Sequence, residues 1–202
     1  MSHRRFAALA ISATLAVSSC GSNDPPRELA GYQRQPVPEV GDLTLPELTN
    51  GDADFAFQAD PGELLVVYFG YTNCPDFCPT TLSDLRLATR RMDEDDAAKI
   101  DVAMVTVDPE RDIPILPDYI TSFFDDGIAL GTMDSALLAQ AAAPFGATYN
   151  VDTSDPELTE VAHSTALYVV DDAGHLILTW QFGVPIDDLA GDLTQLLEGE
   201  TA

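Results

Sequence analysis

Residues 63–81 read ELLVVYFGYTNCPDFCPTT, and the fold is decided there. Glu63 to Phe69 is a continuous apolar run, the pattern of a strand buried on both faces of a sheet. A loop carrying Cys74 and Cys78 follows. Leu82, Leu85, Ala88 and Met92 then keep helical spacing, and the run Asp93-Glu94-Asp95-Asp96 marks where that helix meets solvent. A buried strand, a loop at its carboxyl end and a helix opening from that loop form the position where open α/β sheets place their sites.

Working outward, Asp101 to Val107 predicts a second buried strand. A helix near Leu116–Phe124, a short strand at Ile128–Leu130 and a helix over Ser135–Ala143 come next. Thr165 to Val170 and His175 to Gln181 read as strands joined by the turn Asp171-Asp172-Ala173-Gly174, and Asp187 to Leu197 as a terminal amphipathic helix. Upstream, Leu43-Thr44-Leu45 and Phe55-Ala56-Phe57 alternate around Asn50-Gly51, a β-hairpin signal. The expected class is α/β, a thioredoxin-like fold with an N-terminal β-hairpin extension, spanning residues 42–202.

The 202-residue chain has 9 basic and 34 acidic side chains, a formal charge of −25. So acidic a chain repels a phosphate backbone, which argues against nucleic acid as a partner. Its 46% apolar content argues against wholesale disorder. At the start, Arg4 and Arg5 precede an uncharged apolar stretch, Phe6 to Val17, and Ser18-Ser19-Cys20 closes it. This is the layout of a secretory signal, too short to span a bilayer. The cysteine after small residues resembles a lipobox, so residues 1–19 are expected to be a lipoprotein signal peptide. Cys20 is then the lipidated N-terminus, and residues 20–41, with Pro25, Pro26, Pro36 and Pro38, the tether. The expected location is the cell membrane, lipid-anchored on the extracytoplasmic side. Cleavage there leaves 183 residues with seven basic and 34 acidic side chains, a formal −27.

Three cysteines minus the anchor leave Cys74 and Cys78, with His163 and His175 as the remaining histidines. Pro79 suits the first position of a helix, which would put Cys78 at the cap, where free N–H groups and the helix dipole favour thiolate. A structural disulfide is the competing reading, because secreted cysteines mostly pair. His163 lies just before the strand Thr165–Val170, at a point that approaches the cysteine loop in such a fold. A lone histidine beside a strand is more often structural; here it would complete a Cys2His set. Two thiolates and an imidazole suit copper, the sulfurs favouring Cu(I) and the nitrogen tolerating Cu(II), whereas structural zinc normally takes a fourth protein ligand. Asp76, between the thiols, and Asp108, ending the second strand, could tune ionisation through charge, or be ordinary turn residues. His175 is expected to be exposed and has no assigned role.

The loop CPDFCPT (Cys74–Thr80), the segment VDPERD (Val107–Asp112) and His163 ahead of ALYVVDDAG (Ala166–Gly174) resemble the Sco/SenC family over roughly residues 40–197. That resemblance implies a thioredoxin-like copper chaperone or thiol reductase that helps assemble the copper centre of cytochrome c oxidase. It also implies copper ligation by Cys74, Cys78 and His163, and a copper-accepting oxidase subunit as partner. Members often carry an acidic residue before the histidine, where this chain has Ala162, so a carboxylate that could orient the imidazole is absent. Three activities follow as expectations: copper delivery; thiol–disulfide exchange through Cys74 and Cys78; and peroxide handling, which the fold also permits.

Overall fold

The structure, a computed structural model, describes residues 27–155 and 158–199; Cys20 and the expected signal peptide lie outside them. Nine strands and six helices follow in order: β1 (Thr44–Glu47), β2 (Ala53–Ala56), β3 (Leu64–Gly70), α1 (Phe77–Thr89), α2 (Glu94–Ala97), β4 (Ile100–Thr106), α3 (Pro109–Asp112), α4 (Leu116–Thr121), β5 (Ile128–Leu130), α5 (Ser135–Phe145), β6 (Tyr149–Asp155), β7 (Leu158–His163), β8 (Leu167–Val170), β9 (Leu176–Trp180) and α6 (Ile186–Leu197). Seven strands form one sheet in the order β2-β1-β5-β4-β3-β8-β9. β3 and β4 run parallel in register from Leu64↔Ile100 to Gly70↔Thr106, β5 is parallel to β4, and β8 and β9 are antiparallel to their neighbours. This is the expected thioredoxin-like core with the β1–β2 hairpin added at the far edge.

All seven residues of β3 are buried, as a continuous apolar run demands when both sheet faces are covered. Leu64, Val66 and Tyr68 face α1 and α6 through Leu82, Leu85, Leu189 and Leu193. Leu65, Val67 and Phe69 face α5 and the N-terminal segment through Leu138, Phe145, Phe57 and Val40. Each fully buried Val, Leu or Phe contributes roughly 1.5–3 kcal/mol relative to exposure, so this strand anchors three layers at once. α5 ends at Gly146, whose φ of +68° supplies the left-handed cap that side-chain-bearing residues resist.

Two expectations change. Residues 27–41 pack along β9 rather than forming a tether: Tyr32 exchanges backbone hydrogen bonds with Thr179, Glu39 bridges His175, and Val40 is fully buried. The physical cause is Asp192. Its wholly buried carboxylate accepts hydrogen bonds from Trp180 Nε1 (2.8 Å), Ala30 N (3.0 Å) and Gly31 N (3.1 Å) and pairs with Arg27. Prolines disfavour regular structure, but an extended strap needs none of its own. Second, the acidic run after α1 is a separate one-turn helix, α2, whose cap Asp93 accepts from Asp95 N. Beyond the expected elements, Tyr149–Asp155 and Leu158–His163 pair antiparallel as β6–β7, with Tyr149 opposite His163.

Replacing Asp192 with Ala leaves two backbone donors, the indole N–H and Arg27 without their acceptor. Loss of a buried charge from such a network costs about 3–5 kcal/mol. Chemical denaturation of Asp192→Ala is expected to show a loss of that size, with residues 27–41 newly sensitive to proteolysis.

Candidate metal centre

The sheet topology brings the site together. β3 and β4 end side by side, tied by the hydrogen bond from Val107 N to Gly70 O (2.9 Å). The cysteine loop leaves β3 there. β8 runs antiparallel to β3 with Leu167 opposite Tyr68, so the chain entering β8 must pass the same end, and β7 delivers His163 to it. Among the described residues, one group of potential metal ligands is close enough to share an ion: Cys74, Cys78 and His163, whose ligand atoms lie within 4.8 Å of one another. His163 Nε2 is 3.5 Å from Cys78 Sγ. Neither thiol is in a disulfide.

The two thiols are electrostatically unlike, and in the opposite sense to that expected. Helix α1 begins at Phe77, so Cys78 lies inside its first turn and Pro79 is its third residue, tolerated because first-turn N–H groups have no intrahelical partner. Cys74, just ahead of the helix, is the residue those free amides face. Cys78 N donates to Cys74 Sγ at 3.3 Å. Burial works against the Cys74 thiolate, yet hydrogen bonding from the Cys78, Asp76 and Phe77 backbone outweighs it and holds the thiol below its ordinary range. Burial pushes Cys78 up to about 12, with the neighbouring Cys74 adding to the rise. Gly70 allows this packing: a Cβ there would sit 3.1 Å from Cys78 Sγ and 2.7 Å from the Tyr68 ring.

His163 is oriented by the backbone. Its Nδ1–H donates to Ser164 O (2.8 Å), since a carbonyl can only accept, and this leaves the Nε2 lone pair facing Cys78. The Tyr71 ring packs edge-on at 5.5 Å and the Tyr68 ring at 6.0 Å. Burial lowers the imidazole pKa, opposed by carbonyl contacts from Ser164 and Phe69, which favours the neutral, ligand-competent form at neutral pH. Ala162 is exposed on the outer side of β7, so the orienting part a carboxylate could play falls to Ser164 O. Tyr71 is itself pushed up to about 12, by burial and then by Cys74 beside it.

Of the two aspartates considered from the sequence, Asp76 is exposed, and the part of it acting on Cys74 is its backbone N–H. Asp108 is buried and paired with Arg111. The residue missed is Asp112, also within VDPERD and wholly buried. It accepts from Thr72 N (2.9 Å), Thr72 Oγ1 (2.6 Å) and Thr106 Oγ1 (2.7 Å). Its neighbours in sequence are charged and turn-like, and only the parallel pairing of β3 with β4 reveals that it faces the cysteine loop. His175 lies at the opposite end of the sheet, 3.2 Å from Asp171 Oδ2.

A thioredoxin-like domain with two unlike thiols and one neutral imidazole gathered at the carboxyl end of its central strand defines a class of metal- and thiol-handling proteins. The chain belongs to the SCO1/SenC family, whose model matches residues 47–198. It is 30% identical over 144 residues to the SCO2-like protein of Rickettsia prowazekii, a match covering 69% of this chain and 66% of that protein. The solution structure of apo Sco1 from Thermus thermophilus superimposes with a TM-score of 0.73 at 27% identity, covering 87% of this chain and 99% of that one. Copper-bound ScoI of Bradyrhizobium japonicum gives 0.66 at 26% identity, over 78% and 98% of the respective chains. Among the described residues, no helix is long and apolar enough to cross a membrane.

The thiol asymmetry is directly measurable. At pH 7, iodoacetamide is expected to alkylate Cys74 at least about a hundredfold faster than Cys78, because reaction runs through the thiolate. Peptide mapping of partly alkylated protein reads the ratio, and equal rates contradict the assignment.

Proposed function

We propose that this protein is a membrane-anchored, extracytoplasmic metallochaperone that carries copper for assembly of the copper centre of cytochrome c oxidase. Family membership supports it, the Sco family being described as one of cytochrome c oxidase assembly proteins. The single observation that carries it is the Cys74, Cys78 and His163 cluster within 4.8 Å. Two sulfurs and one imidazole nitrogen are the donor set that soft Cu(I) prefers and Cu(II) accepts. The similar protein of Bradyrhizobium japonicum has been solved with copper bound.

Copper is cargo here, and the protein residues suit a transfer. Cys74 offers the more readily deprotonated thiol, Cys78 a buried sulfur that must lose its proton as metal binds, and His163 a neutral nitrogen aimed by Ser164. A hollow of about 300 Å³ lined by Tyr149, Asn150, Ala162 and Ser164 opens beside His163. It is on this side that we place the approach of a copper-accepting oxidase subunit. The anchor is lipid on Cys20, ahead of the strap formed by residues 27–41.

A second reading shares the site. One lowered and one raised thiol suit dithiol exchange, in which Cys74 attacks a disulfide, a mixed disulfide forms, and Cys78 displaces the target thiol while the pair gives up two electrons. That chemistry does not require His163 as a metal ligand. In the His163→Ala variant copper affinity is therefore expected to fall by more than the roughly 10–100-fold typical of losing an outer-shell partner. Reduction of a model disulfide should be largely retained. Unchanged copper affinity in a competition titration would remove His163 from the ligand set.

A further inference from the structure

We propose that Asp112 is a positioning residue for the metal centre, holding Thr72 so that Cys74 stands at the right distance from Cys78 and His163. The inference rests on the copper reading above and assigns a task to a residue that is not itself a ligand.

Asp112 is completely buried, and among the described residues it has no ion-pair partner; Arg111, next to it in sequence, is paired with Asp108. Burying a carboxyl group without a counter-charge is costly unless hydrogen bonds satisfy it. Three donors do so, and two belong to one residue: the Thr72 N–H and hydroxyl bind one carboxylate oxygen each, at 2.9 and 2.6 Å. A two-point grip of this kind fixes both the position and the rotation of the Thr72 backbone, which a single bond would leave free. The third donor, Thr106 Oγ1, comes from the end of β4 and in turn accepts from Asp108 N at 3.0 Å. The carboxylate is therefore referenced to the rigid sheet, with Asp112 N bonded to Asp108 O (3.1 Å) and Ile115 N to Asp112 O (2.9 Å).

Thr72 sits at the hinge of the site. On one side is Tyr71, whose ring packs on His163; on the other is Asn73, leading to Cys74. Cys74 N closes the turn onto Tyr71 O at 3.4 Å, a long bond that would not hold the turn alone. The other two ligands have their own supports: Cys78 is built into α1 and His163 into β7. Cys74 alone depends on an irregular loop, and the latch from Asp112 ends two residues before it.

The test is Cu(I) affinity of the full chain, by competition with a chromophoric chelator, for Asp112→Ala, Asp112→Asn and Thr72→Val, each also in a Cys74→Ala background. Asp112→Ala is expected to weaken binding about 10–100-fold, as loss of an outer-shell partner does. Thr72→Val, which keeps the N–H bond, should cost about threefold. Asp112→Asn retains an acceptor for the Thr72 N–H, and the hydroxyl can turn to accept from the amide; affinity should stay within about twofold of wild type. Without Cys74, Asp112→Ala and Thr72→Val should change the residual affinity by less than about twofold, since the grip acts through that ligand. Where Asp112→Ala does not fold, Thr72→Val decides. The inference is overturned if the deciding variant binds within about twofold of wild type, or if the losses are the same with and without Cys74. A wild-type chain that takes up no Cu(I) overturns the proposed function itself, and this inference with it.

Discussion

In-register parallel pairing of β3 with β4, capped by the bond from Val107 N to Gly70 O, brings two loops out at one edge of the sheet. One loop carries the cysteines; the other carries Asp108, Arg111 and Asp112. Antiparallel pairing of β8 on the other side of β3 sends a third segment, with His163, past the same edge. β3 can hold all three because it is buried along its whole length, with packed helices on both faces. Slipping its register by one residue would turn Val66 and Tyr68 toward the wrong layer and move the cysteine loop away from its partners.

The chemistry of the centre follows from where the helix starts. Since α1 opens at Phe77, its free amides converge on the sulfur just outside it and leave the sulfur inside its first turn in an apolar setting. One thiol is thereby made the easier to ionise, and the other is kept as a neutral thiol until something displaces its proton. A neutral imidazole with its lone pair directed inward completes the set.

Much of this was legible in the amino-acid order, and the rest was not for identifiable reasons. The apolar run at β3, the second run at β4, the hairpin around Asn50-Gly51 and the turn before His175 are local signals, and each element formed within a few residues of its expected bounds. The grouping of Cys74, Cys78 and His163 was readable because the order of elements fixed which loops share an edge. The polar β6–β7 hairpin escaped because Asn150, Asp152 and Ser154 carry turn chemistry, and the alternating Tyr149 and Val151 are too few to stand out. The docked strap escaped because its anchor, Asp192, lies more than 150 residues away and looks like an ordinary helix-surface acid. Which thiol ionises the more readily depended on a two-residue shift in the helix start, finer than a proline can specify.

The most direct measurement is X-ray absorption at the copper edge on the reduced full chain after copper loading and removal of excess metal. The account predicts one copper per chain, coordinated by two sulfurs and at least one imidazole nitrogen. A copper environment built only of oxygen and nitrogen, or one unchanged when Cys74 and Cys78 are both replaced, would contradict it.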